Sequence, residues 1–200
     1  MHYPEELNQL ILLLNRLPGV GRRSAERMAL AILRDKEKLA ARLARALDEA
    51  GETIVPCTQC GSLTRREANP CRLCTDPSRD DQWLCVVEEP TDIGLIEQAG
   101  VFRGRYFALM GKLSAIRGEG PEHVRIRELL KRLRERSIRE VLLALNSDVE
   151  SDATASYLTE LCNGAGVKVS RLARGLPSGS GIAYSDAQTL KQAIQYRVPM

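Results

Sequence analysis

Four of the six cysteines stand as two pairs, Cys57-Thr58-Gln59-Cys60 and Cys71-Arg72-Leu73-Cys74, with ten residues between the pairs. A Cys-x-x-Cys turn aims two thiolates at one point, and two such turns complete the tetrahedron of sulfur ligands that zinc accepts. All four positions are cysteine, which leaves no coordination site for water or substrate. The expected role is therefore structural: one zinc per chain, held by Cys57, Cys60, Cys71 and Cys74. Two other chemistries fit the same residues, a pair of disulfides or a thioredoxin-like redox pair. The redox pair needs only one Cys-x-x-Cys, at a helix start in a βαβ unit. Residues 53–78 hold too few apolar side chains for a core, and so small a module needs a metal or crosslinks to fold. Cys85 and Cys162 fall in an expected strand and helix, as buried packing.

A second constellation runs Leu17-Pro18-Gly19-Val20-Gly21-Arg22-Arg23-Ser24-Ala25. The apolar residue between the glycines can lock a tight turn between two helices, while the glycines let the backbone approach a partner closely. N–H groups at such a turn, beside the start of the next helix, make a site for a phosphate. Arg22, Arg23 and Arg27 add positive charge on or next to that edge. A plain helical hairpin with a solvated basic face is the alternative. The whole pattern, with Ala25 small enough for close helix packing, resembles the helix-hairpin-helix motif, which holds DNA by its backbone without reading bases. That resemblance implies sequence-independent contacts centred on Gly19 and Gly21.

Carboxylates form the third constellation. Val86-Val87-Glu88-Glu89-Pro90-Thr91-Asp92 and Leu143-Ala144-Leu145-Asn146-Ser147-Asp148-Val149-Glu150 each place acids just after an apolar strand. At the carboxyl ends of strands in an open α/β sheet, such groups could hold Mg²⁺ for phosphoryl transfer. They could equally begin the following helices, where negative charge complements the helix dipole. The two stretches resemble the Toprim domain of topoisomerases and primases, in which a Glu cooperates with an Asp-x-Asp-x-Glu run. Glu88 matches the Glu, Asp148 the second Asp and Glu150 the last Glu, but Asn146 replaces the first Asp. A neutral amide supplies no charge to a metal, so the expectation is no catalysis. The competing reading is a Mg²⁺-dependent nuclease or primase-like enzyme using Glu88, Asp148 and Glu150.

These groups need a scaffold, and the apolar periodicity supplies one. Leu7, Leu10, Ile11 and Leu14 mark one helical stripe; Ala25, Met28, Ala29 and Ile32 a second; Leu39, Leu43 and Leu47 a third, ending near Gly51. After the cysteine module, strands are expected over 83–87, 106–110, 141–145 and 167–170, with helices over 91–99, 121–136, 153–161 and 187–194. Short strands alternating with helices predict a mainly parallel sheet covered on both faces. The fold class is thus an α/β chain of several parts: residues 1–52 as the helical hairpin region, 53–78 as the four-cysteine zinc finger, 79–172 as the Toprim-like sheet flanked by helices, and 173–200 as a C-terminal helical segment. Pro177-Ser178-Gly179-Ser180-Gly181 reads as flexible but too short for a linker, and with no Gly-Lys-Ser/Thr following it, it is not a P-loop. The 200 residues carry a net charge of +3, compatible with nucleic acid, and only 4% aromatics, which argues against a platform of stacked single-strand bases. The basic run Arg125, Arg127, Lys131, Arg132, Arg134, Arg136 and Arg139 is interspersed with glutamates and reads as a solvated helix face. No apolar run is long enough for a membrane helix, and acids stand early in Met1-His2-Tyr3-Pro4-Glu5-Glu6 where an export signal carries bases. A reducing cytoplasm is the expected compartment, with nucleoid association when the chain is bound to DNA.

Hairpin, four-cysteine module and amide-altered Toprim stretch occur in the same order as in the RecR family of bacterial recombination mediators. The resemblance runs nearly end to end and includes Tyr3-Pro4, Cys74-x-Asp76-Pro77-Ser78-Arg79-Asp80, Val86-Val87-Glu88-Glu89-Pro90 and Arg174-Gly175-Leu176-Pro177. It implies a non-enzymatic DNA-binding protein that assembles as a ring-like tetramer, residues 173–200 serving as an oligomer contact. With RecO and RecF, such a protein helps load RecA at gaps coated with SSB. By the same match Arg23 and Arg27 contact DNA, and Glu88, Asp148 and Glu150 face partner proteins. The chain departs from the family at Asn146-Ser147-Asp148, where Asn-Pro-Thr is usual, and after Pro177.

Overall fold

The structure is a computed structural model that describes residues 3–135, 137–176, 179 and 181–197. The expected helix end at Arg136, and Pro177, Ser178 and Ser180 of the flexible stretch, lie outside the described residues, as do the chain's first two and last three. The chain divides into two compact units, Met1–Ile54 and Val55–Met200.

In the first unit α1 spans Glu5–Leu14, α2 Arg22–Arg34 and α3 Leu39–Thr53. Glu5 and Glu6 fill the first turn of α1, where negative charge suits the helix dipole. Ile11 packs with Ala25 and Ala29 of α2, both fully buried, and Tyr3, Leu7, Leu10, Leu14 and Val20 close around them. The alanines carry no bulk beyond Cβ, which lets the helices approach. Met28, expected in this stripe, is instead exposed. The helix α3 forms as its periodicity predicts, yet it buries none of its described side chains, and Leu47 stays 70% exposed.

A two-stranded ribbon starts at the boundary, β1 (Ile54–Pro56) and β2 (Leu63–Arg65), then a single helical turn, α4 (Arg72–Thr75). There follow β3 (Asp80–Val87), α5 (Pro90–Ala99), β4 (Gly104–Ala108), α6 (Ile126–Glu135), β5 (Glu140–Ala144), α7 (Val149–Gly164), β6 (Lys168–Arg171) and α8 (Ala187–Gln195). The sheet order is β4-β3-β5-β6 and every pairing is parallel, with Val86 level with both Phe107 and Leu143. One face is covered by α6 and α7 through Ile126, Leu129, Leu133, Ala155 and Leu158. The other is covered by Ile93 of α5 and by the four cysteines, packed against Cys85, Val87, Tyr106 and Ala108. Cys85 and Cys162 are buried on opposite faces, as expected.

Several boundaries differ from the periodicity by a few residues, β3 starting at Asp80 and β4 spanning Gly104–Ala108, and two helix starts differ by four or five. The helix expected from residue 121 begins at Ile126, because the Arg125 N–H donates to the Leu109 carbonyl (2.9 Å) instead of to its own preceding turn. The helix expected from residue 153 begins at Val149, because Asp148 accepts the Ser151 N–H (2.9 Å) and caps it. The chain enters α5 from β3 and leaves α7 for β6 on opposite sides, so the winding reverses between β3 and β5. Ligands of open α/β sheets gather outside such a reversal, at the carboxyl ends of the strands. Arg171 and Arg174 both pair with Asp152 of α7, and Arg174 also lies over the Tyr196 ring (5.5 Å), tying the C-terminal segment to this unit. No helix among the described residues is long and apolar enough to cross a membrane.

Candidate functional sites: a four-thiol cluster, a glycine hairpin and an acidic centre

The four sulfur atoms of Cys57, Cys60, Cys71 and Cys74 lie within 4.8 Å of one another, and all four residues are buried. Cys60 and Cys71 stand 3.5 Å apart and Cys57 and Cys74 3.8 Å apart. A disulfide would need about 2.05 Å, whereas the edge of a tetrahedron with zinc–sulfur bonds of about 2.3 Å is about 3.8 Å. The Cys71 N–H points at Cys57 Sγ (3.3 Å) and the Ser62 N–H at Cys60 Sγ (3.4 Å), donors that favour thiolates. Without a cation the group cannot ionise together. Hydrogen bonds from Cys60 and then Cys74 hold the Cys71 thiol far below its ordinary value, while the bond with Cys71, then burial, pushes Cys60 up, and the bonds with Cys60 and then Cys71, with burial, push Cys74 up. A divalent cation is the group that would let all four ionise.

The cluster is braced from the sheet. Ala108 N donates to Cys60 O (2.7 Å), Arg105 Nη1 to Leu73 O (2.8 Å), and buried Arg132 Nη1 to Gln59 O (3.2 Å) and Tyr106 O (2.9 Å). Gly61, at φ +84°, sits where a Cβ would lie 2.4 Å from Arg125 Nη1. Arg125 and Arg132 of the basic run are therefore structural braces, whereas Arg127, Lys131 and Arg134 are exposed.

In the hairpin, Gly19 takes φ +74°, a left-handed conformation that an L side chain resists. Val20 N donates to Leu17 O (3.1 Å) and Gly21 is the N-cap of α2. No side chain among the described residues caps this helix start and no acid occupies its first turn, so its leading N–H groups are left for an outside acceptor. Arg22 pairs with Glu26 (3.6 Å). Arg23 and Arg27 are exposed, lie one turn apart and have no ion-pair partner among the described residues.

The acids meet at the reversal between β3 and β5. Glu88, only 4% exposed, accepts the Asn146 backbone N–H (2.9 Å) on one oxygen and the Asn146 side-chain amide (2.7 Å) on the other. Asp148 Oδ2 receives Lys112 Nζ at 2.6 Å, and the same ammonium lies 3.7 Å from Glu150 Oε2. Arg117 Nη1 stands 3.5 Å from Glu150, which also accepts the Ser114 hydroxyl. The hydrogen bond from Lys112, ahead of that from the Ser151 N–H, pulls the Asp148 carboxyl down to about 2 and raises the Lys112 ammonium. Glu89 and Asp92 belong to a capping box that starts α5. Lys112, Ser114 and Arg117 were not singled out by sequence. Gly111 marks the end of a strand, but no spacing pairs Lys112 with a carboxylate 36 residues away.

A parallel sheet with acids at its winding reversal, joined to a four-thiol ribbon and following a glycine hairpin, defines a Toprim-type protein with a helical N-terminal unit. Residues 82–173 match the family model of the Toprim domain, and residues 7–51 match that of "RecR, helix-hairpin-helix". The chain is 45% identical to the recombination protein RecR of Desulfatibacillum aliphaticivorans, covering 98% of this chain and 97% of that one. It is 47% identical to that of Moorella thermoacetica over 98% of each, and 44% identical to that of Pelotomaculum thermopropionicum over 100% of this chain and 98% of that one. The chain belongs to the RecR family of recombination proteins.

Proposed function

We propose that this chain is a DNA-binding recombination mediator in DNA repair, a clamp and adaptor that forms a ring-like homotetramer. With RecO and RecF it helps load RecA onto gaps coated with SSB, in the cytoplasm and at the nucleoid. The observation that carries the reading is the start of α2, uncapped among the described residues, with its glycine turn and two exposed arginines one helical turn apart that have no ion-pair partner there. Phosphates would meet the N–H groups beside Gly19 and Gly21 while Arg23 and Arg27 supply charge, which positions DNA without reading it. Residues 1–52 then form the DNA-binding part, 53–78 the zinc module, 79–172 the platform for partner proteins and 173–200 an oligomer contact. The exposed apolar side chains of α3 and α8 are consistent with burial in such an assembly.

Zinc fits the four-thiol cluster by ligand type and by sulfur spacing; bound there, it would supply a crosslink between the two Cys-x-x-Cys turns. The acidic face serves recognition and not catalysis. Asn146 is neutral where the Toprim pattern has a charged acid, and it holds Glu88 through both carboxylate oxygens. Asp148 and Glu150 are the acids a partner would meet, and Glu88 acts from beneath by fixing the loop that carries them.

The test uses the zinc-loaded full chain. Titration onto gapped DNA of unrelated sequences at low and moderate salt should give equal affinities that weaken with salt. RecA filament growth on SSB-coated gaps should then depend on this chain together with RecO. Binding to no DNA at any salt would leave only a protein adaptor, and Mg²⁺-dependent cleavage abolished by Glu88→Ala would establish the enzyme.

A further inference from the structure

We propose that Lys112 is the built-in cation of the acidic face: its ammonium lies between Asp148 and Glu150, two of the acids that match the Toprim pattern, and removing it uncovers a divalent-cation site. This extends the non-catalytic reading of the face from a missing acid to an occupied centre.

The residues present do not fit a bare Mg²⁺. That ion demands a near-octahedral set of oxygens at about 2.1 Å. Here the position between Asp148 and Glu150 is taken by Lys112 Nζ, 2.6 Å and 3.7 Å from their carboxylates and 3.4 Å from Ser151 Oγ. An ammonium offers three donors and no acceptor, so it satisfies oxygens that a metal would otherwise bind and repels a second cation. Arg117 adds a second positive group on Glu150.

Lys112 is delivered there by the backbone. Met110 at φ 63° and Gly111 at φ 136° turn the chain sharply after β4, with Gly111 N bonded to Glu88 O (3.1 Å). Leu113 N is then held by Thr154 Oγ1 (3.0 Å), a fully buried group, and Ser114 is bonded to Glu150. The lysine is fixed on both sides and its side chain is only 20% exposed, unlike a free surface lysine. Three carboxylates thus face two cations. Without Lys112 the balance moves to one cation against Glu88, Asp148 and Glu150, the imbalance that draws in a divalent ion.

The probe is Mn²⁺, measured by electron paramagnetic resonance on the zinc-loaded full chain. Lys112→Met keeps the stem and removes the charge. It should bind one Mn²⁺ per chain at least tenfold more tightly than the parent, and Lys112→Met with Asp148→Asn should lose that site. Lys112→Arg, which keeps the charge, should behave as the parent. Should Lys112→Met fold poorly, Mn²⁺ should raise its melting temperature, and a melt indifferent to Mn²⁺ overturns the proposal. So does a folded Lys112→Met that binds Mn²⁺ no better than the parent, or a parent that already binds it as tightly. DNA cleavage by the parent would count against the non-catalytic reading alone, since the Mn²⁺ comparison reads only Lys112.

Discussion

Replacing Arg23 and Arg27 together by alanine should separate DNA binding from folding. Both side chains are exposed and neither has an ion-pair partner among the described residues, so no buried contact is lost. Substitutions at such positions change stability by about 0.5 kcal/mol or less each. The cost to binding follows from counterion release, since each phosphate neutralised on duplex DNA contributes about 0.9 to the slope of log affinity against log salt. A fourfold rise in salt, from about 50 to about 200 mM, therefore weakens the parent relative to the double variant by about 3.5-fold per contact and about 12-fold for two. Several hairpins on one assembly would multiply the loss, because each later contact is made at high effective concentration. The assay is fluorescence anisotropy on two unrelated DNA sequences across a salt series, with melting temperature and zinc content as controls. Replacing both arginines by lysine should retain the parent's slope, because a phosphate contact of this kind needs charge before geometry. A folded double alanine variant with the parent's affinity and slope would refute the argument and leave the hairpin a structural turn.

Replacing Cys74 of the four-thiol cluster, as Cys74→Ser, should abolish the proposed zinc binding, whose energy would be on the order of ten kcal/mol of folding energy. The damage should spread to the sheet, since the cysteines pack on Val87, Tyr106 and Ala108; zinc content and melting temperature read it, and a parent that holds no zinc and melts unchanged under a chelator contradicts it. Gly19→Ala forces a Cβ into a left-handed backbone and should cost about 1–2 kcal/mol of hairpin stability. Gly21→Ala, at φ −77° with open space around it, should cost less; equal thermal losses would show that the turn conformation is not the constraint. The Asp148 carboxyl, pulled down to about 2 by Lys112, stabilises the fold above its unfolded value near 3.8, and that contribution is lost as pH falls from there through about 2. Carboxyl-detected NMR titration should place its midpoint near 2 in the parent and nearer the ordinary value in Lys112→Met, and an unmoved midpoint would sink the assignment of cause.

What the amino-acid sequence determined by itself was everything carried by short spacing. Cys57-x-x-Cys60 and Cys71-x-x-Cys74 each make a turn whose geometry depends on four neighbouring residues, so the four-thiol cluster was legible before any fold. The same holds for Gly19-Val20-Gly21 and for the apolar periods of α1, α2 and the four parallel strands, because helix and strand repeats are local. The tertiary structure alone decided which side chains meet across the sheet. Lys112 reaches Asp148 only because the turn after β4 falls beside the start of α7. Arg132 braces Gln59 across 73 residues because α6 lies along the strand edge that holds the cysteines. It also decided which member of a run does what: Arg125 and Arg132 turn inward while Arg127 and Arg134 stay in solvent, and Glu88 is buried while Glu89 caps a helix. Charge is the same for both members of each pair. Only the direction in which the packed backbone points each side chain tells them apart.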